Sequence, residues 1–96
     1  MVTVWTPQAI AELKRAYKYI SQDSPQNAKK VVDEIVLLAE KLPDQPEMFP
    51  PDKFKKKNDG SWRAFEKYHY RISYRITVNE IRIVRMRHTS RSPLQY

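Results

Sequence analysis

The stretch Tyr-Arg-Ile-Ser-Tyr-Arg-Ile at residues 70–76 sets the tightest limit on the fold of this chain. Side chains alternate across a strand, so Tyr70, Ile72, Tyr74 and Ile76 share one face while Arg71, Ser73 and Arg75 share the other. A strand covered on both sides would be apolar throughout. This one asks for a sheet with cover on one face only. An unpaired arginine is too costly to bury, so the arginine face is expected to meet solvent or an anion. In "IRIVRMR", residues 81–87, Ile81 and Ile83 give way in the same phase to Arg85 and Arg87, opposite Val84 and Met86. That strand is expected to begin covered and to end at an opening.

The covering layer is legible upstream. Thr6 followed by Pro7 is an N-cap with proline in the first turn, and Ile10, Leu13, Tyr17 and Ile20 then recur at helical spacing, with Glu12, Lys14, Arg15 and Lys18 on the other face. Ser24 and Pro25 repeat the signal before Ala28, Val31, Val32, Ile35, Leu38, Ala39 and Leu42. The short gap between these helices predicts an antiparallel hairpin. Val2, Val4 and Trp5 form an opening strand, "WRAFEKY" at 62–68 another, and Asn79 suits a turn between the last two. Residues 43–61 hold four prolines and the only glycine, Gly60, and read as a long loop whose "PPD" is turn chemistry. The predicted fold is α+β, a β-α-α-β-β-β two-layer sandwich. A helical hairpin packs on one face of a mainly antiparallel four-stranded sheet, whose other face is open and basic. Residues 1–96 are expected to form a single domain.

Composition narrows the chemistry. There is no cysteine, and two histidines 19 residues apart without clustered carboxylates make no ligand set, so neither metal nor cofactor is expected. A lone glycine cannot form a phosphate-cradling loop. Neither a signal sequence nor the roughly 18 apolar residues of a membrane span is present, which fits a cytoplasmic protein. Residues 1–52 carry six Lys/Arg against eight Asp/Glu, a balance of −2, whereas residues 53–96 carry twelve against three, a balance of +9. Such one-sided charge favours nucleic acid or another acidic partner.

Arginine's planar fork matches phosphate oxygens and could stabilise a phosphorane-like transition state if neighbouring groups moved protons. His69, His88, Glu66 and Tyr96 are candidates for that work. "KFKKK", with Lys55, Lys56 and Lys57, reads equally as a nucleic-acid patch or a solvated loop.

The chain resembles the RelE/ParE superfamily of toxins from bacterial type II toxin-antitoxin systems, often labelled plasmid stabilisation proteins. The resemblance covers nearly the whole length: "TPQAIAEL", the helical hairpin, "GSWRAFEKYHYRISYRI" and "IRIVRMRHTSR". It implies one of two activities. RelE-like members cleave mRNA at the ribosome by attack of a 2′-hydroxyl on the adjacent phosphate; ParE-like members inhibit DNA gyrase without nuclease activity. Arg71 matches a strand arginine found in both branches. His88 and Arg91 resemble the His-x-x-Arg of ParE-like chains, and Tyr96 lies near where some nucleases keep a tyrosine.

On that footing the expected activity is growth inhibition by ribosome-dependent mRNA cleavage, with gyrase inhibition the alternative and a non-toxic binding module the third. The expected catalytic set is Arg71, His88, Arg91, Tyr96 and Glu66. Arg63, Lys67, Arg75, Arg85, Arg87, Lys55, Lys56 and Lys57 are expected to hold nucleic acid. Arg71→Ala is expected to remove activity and leave the fold intact. The expected partners are ribosome and mRNA, or gyrase, and a cognate antitoxin, itself short and acidic or helical. That antitoxin is placed against Tyr17, Ile35, Leu38 and Leu42 and against the basic sheet face. Operator DNA is met only through the antitoxin complex, and no membrane is involved.

Overall fold

The computed structural model describes residues 1–92 and 95–96. Its elements are β1 (Val2–Trp5), α1 (Pro7–Ser21), α2 (Pro25–Lys41), β2 (Trp62–Lys67), β3 (Tyr70–Ile76) and β4 (Glu80–His88). The β-α-α-β-β-β order is as expected. Both helices begin where their caps predict: the Thr6 hydroxyl accepts from the Ala9 N–H at 3.2 Å, and that of Ser24 from Asn27 at 3.1 Å.

The four strands form one sheet in the order β1-β4-β3-β2. β1 runs parallel to β4, and the other two pairings are antiparallel. The helices cover one face. Ala9, Ala16, Val31, Ile35 and Ala39 from α1 and α2 pack on Ile72, Tyr74, Ile81, Ile83 and Met86 of the sheet, all buried. Burying an aliphatic side chain of this size contributes about 1.5–3 kcal/mol, so this layer is the main source of stability.

Two expectations about the strands change. β4 does not carry its first phase through to Arg85 and Arg87, because the β3–β4 register shifts between Ser73 and Tyr74, which pair with Arg85 and Ile83 and leave Val84 as an extra residue. This bulge returns Met86 to the core face of Ile81 and Ile83. The β2–β3 connection contains only Tyr68 and His69, at φ 53° and 67°. A two-residue hairpin loop with both φ values positive has the form that usually takes Asn-Gly. Asn79, the residue suited to such a backbone, is not at positive φ.

Candidate functional site

The second sheet face is not open along β3, because the 43–61 segment folds back across it. A 3₁₀ turn at Leu42–Asp44 continues α2, Phe49 stacks on Phe65 with ring centroids 5.0 Å apart, and Pro51 bridges to Arg63. The Asn58 amide donates to the carbonyls of Asp52 at 3.3 Å and Trp62 at 2.7 Å, while Gly60, at φ 95°, turns the chain into β2. Asp52 and Phe54 are thereby laid over Arg71, and Ser73 between the two strand arginines is only 6% exposed.

Asp52 is the centre of this cover, and it is 2% exposed. Its Oδ1 accepts from Arg71 Nη2 at 2.8 Å and from the Phe54 N–H at 3.0 Å; its Oδ2 accepts from the Tyr96 hydroxyl at 2.5 Å. Arg71 also donates through Nη1 to Glu66 at 3.1 Å, and its guanidinium lies 4.8 Å from the Phe54 ring centroid. Tyr96 is held by its backbone as well: its N–H donates to the Phe54 carbonyl at 3.1 Å, and its own carbonyl accepts from the Lys56 N–H. Residue 96 and the loop therefore close over Arg71 together.

The electrostatics follow from these bonds. Burial alone would raise the Asp52 pKa, but the hydrogen bonds from Tyr96, Arg71 and the Phe54 N–H, with the charge of Arg71, outweigh it and hold the carboxyl below its usual value. Burial and the bond to Asp52 push the Tyr96 phenol up to about 12. It is a proton donor fixed on a carboxylate.

All five residues expected to be catalytic, Arg71, His88, Arg91, Tyr96 and Glu66, line one cavity of about 160 Å³ that Asp52 also lines. Sequence reading grouped them but missed Asp52, whose only signal was one acid inside a loop that looked like turn chemistry. His88 Nδ1 accepts from the Ser90 N–H at 3.1 Å and meets its hydroxyl at 2.7 Å. The tautomer assigned from that contact carries the neutral ring's proton on Nε2, a donor.

The residues expected to hold nucleic acid divide in two. Arg63 is structural, donating to the carbonyls of Gly60 at 3.0 Å and Phe49 at 2.7 Å. Arg85 pairs with Glu12 through Nη2 at 2.9 Å. Arg87 donates to the Ser92 carbonyl at 3.0 Å, and Lys67 lies over the Tyr68 ring at 5.1 Å. Lys55, Lys56, Lys57 and Arg75 have no acid within ion-pair distance among the described residues.

Of the expected antitoxin contacts, Ile35 and Leu42 are fully buried in the core. Their helical spacing fixed the apolar stripe of α2, and that stripe faces the sheet. Tyr17 is exposed and Leu38 half-buried.

Glu12 corrects a further reading. It was expected on the solvent face of α1 but is 8% exposed. β1 ends opposite Ile83, so beyond that point β4 has a strand neighbour on one side only. The Glu12 carboxylate fills part of the gap, accepting from the Met86 N–H at 2.8 Å and from Arg85 at two nitrogens. A cavity of about 270 Å³ adjoins it between α1 and β4, lined in part by Arg15, Tyr19, Arg87 and Arg91.

Residues 3–93 match the family described as ParE toxin of type II toxin-antitoxin system, parDE. The chain belongs to the ParE toxin family. A ParE-family fold also accounts for the solved structures it resembles. One, from the chromosomal ParDE toxin-antitoxin system of P. aeruginosa, superimposes with a TM-score of 0.72 at 24% identity, covering 92% of this chain and 95% of that one. Another, the YoeB dimer of Staphylococcus aureus, gives 0.59 at 24% identity with the same coverage. At that identity the likeness is one of fold. No curated protein matches the sequence. The RelE/ParE superfamily resemblance is thereby borne out, and no helix among the described residues is long and apolar enough to cross a membrane.

Proposed function

We propose that this ParE-family chain is the toxin of a type II module that arrests growth by binding DNA gyrase and has no nuclease activity. The observation that supports this reading is the closure of Arg71 by Asp52 and Tyr96. A nuclease needs that arginine free for a phosphate and a neighbour free to move a proton. Here Asp52 stands where a phosphate oxygen would, Glu66 takes the second guanidinium nitrogen, and the phenol is bound to a carboxylate. The cognate antitoxin in this reading is an acidic segment seated in the cleft between α1 and β4, where Arg15, Arg87 and Arg91 supply opposite charge. Operator DNA is then contacted through the complex of the two.

A second reading, ribosome-dependent mRNA cleavage, is favoured by one fact: Arg71, His88, Arg91, Tyr96 and Glu66 share a cavity. It requires Asp52 to release Arg71 when RNA enters. A supercoiling assay with purified gyrase and toxin tests the first reading. Inhibition is expected, and unaltered topoisomer ladders at saturating toxin would sink it. RNA mapping after induction tests the second, since codon-linked cuts would establish it. Unaffected growth on induction would leave the non-toxic binding module.

A further inference from the structure

We infer that the segment around Lys53–Lys57 is a contact strip for the phosphate backbone of duplex DNA, adjoining the Arg71 cavity, which Lys53 also lines, and independent of the gyrase reading. Residues 53–62 carry four lysines against one acid, Asp59, and the side chain of Asp59 accepts from Ser61. Lys53, Lys56 and Lys57 are exposed, and neither they nor Lys55 and Arg75 join an ion pair among the described residues. Most of the arginines first suspected of gripping nucleic acid are held by carboxylates or carbonyls. Lys53, Lys55, Lys56, Lys57 and Arg75 gather five cations without an ion pair among the described residues on this loop and the neighbouring part of β3.

The strip has a fixed base. Lys55 Nζ lies 5.0 Å from the Trp62 ring centroid and 5.5 Å from that of Tyr96, and the Arg75 guanidinium is 4.9 Å from Trp62. Cation–π contacts of this kind hold the loop against β2 and β3; Lys53 is exposed with its Nζ 5.2 Å from the Phe54 ring centroid, and Lys56 and Lys57 are exposed beside it.

The same contacts choose the form of nucleic acid. Single strands are bound by stacking bases on open aromatic faces. Trp62 already carries Lys55 and Arg75, Tyr96 meets it edge-on with centroids 5.6 Å apart, and Phe54 carries Arg71. Among the described residues no open stacking platform is offered beside the lysines. Compact ammonium groups on a rigid loop suit a surface of closely spaced phosphates, read without regard to base sequence.

Fluorescence anisotropy of the full chain with a labelled 20-base-pair duplex and a 20-nucleotide single-stranded RNA tests this. The measurement is repeated from 50 to 200 mM salt and on the Lys53→Ala, Lys56→Ala, Lys57→Asn triple variant. Asn tolerates the φ of 52° at position 57. Each lost phosphate contact flattens the slope of log K against log salt by about 0.9, so over this fourfold range three contacts account for about a 40-fold difference in salt sensitivity. The expected result is duplex binding with a steep slope in the parent and a flattened one in the variant, both folded by circular dichroism. Absent duplex binding at 50 mM, or equal slopes, overturns the strip. RNA bound as tightly as the duplex overturns the choice of partner.

Discussion

Asp52 Oδ1 and Arg71 Nη2 lie 2.8 Å apart, and the carboxylate they share with Tyr96 is almost wholly buried. The ion pair therefore belongs to the fold as much as to any site. Arg71→Ala, expected from sequence to spare the fold, leaves a buried carboxylate without its cation and should cost about 3 kcal/mol in urea denaturation. The Asp52→Ala, Arg71→Ala double variant should lose at least 1 kcal/mol less than the sum of the two singles. Strict additivity would show that the pair is not coupled.

The same network gives the chain two pH limits. Asp52 has its pKa lowered on folding, so its contribution is present above the unfolded value of about 3.9 and is lost as pH falls through the folded one. Tyr96, raised to about 12, contributes fully below about 10 and loses that contribution between about 10 and 12. Tyr96→Phe should make the alkaline limb of a stability–pH curve measured by thermal melting shallower, the remainder coming from Tyr68, Tyr70 and Tyr74, whose pKa values are also raised. An unchanged limb would place it elsewhere.

Glu12 closes the single-sided end of β4, so its removal exposes an unpaired strand N–H and strands Arg85. Glu12→Ala should destabilise by about 2–4 kcal/mol, with faster hydrogen exchange at Met86. Glu12→Gln keeps an acceptor for the N–H and loses the ion pair, so it should fall between the two. Equal exchange at Met86 in all three proteins would contradict this role.

At the β2–β3 hairpin, Tyr68 and His69 occupy the left-handed region, at about 1–2 kcal/mol each. The Tyr68 hydroxyl donates to Glu34 at 2.6 Å and the His69 carbonyl accepts from Thr89 at 2.7 Å, contacts that hold the turn. His69→Gly keeps the carbonyl and relieves the strain. It should raise the melting temperature by roughly 4–8 °C, the shift expected for about 1 kcal/mol in a domain of this size. A fall would show that the imidazole, 6.4 Å from that of His88, is itself stabilising.

The helices and strands were legible because their signals are local. Thr6-Pro7 and Ser24-Pro25 mark helix starts within three residues, and the alternation in β3 names its buried face directly. Asp52 and Glu12 were not legible, since each is defined by a partner far along the chain: Arg71 lies 19 residues from Asp52, and Arg85 lies 73 from Glu12. Periodicity assigns a carboxylate to solvent by default and has no means of finding its cation. The bulge at Val84 escaped for a related reason, because the change of phase in "IRIVRMR" reads on paper as a strand that ends at an opening and only pairing with β3 shows the extra residue.

Val2–Trp5 pairs with Glu80–Ile83, so during synthesis β1 has no strand neighbour until β4 has followed it. The Arg71 cavity waits longer still, for residue 96. Contacts so distant in sequence form late. During synthesis β1 would stay unpaired, with Val2 and Val4 beside a helical hairpin that has no sheet to cover. A nascent chain of this kind is open to capture by any partner that recognises the bare hairpin before the toxin is complete.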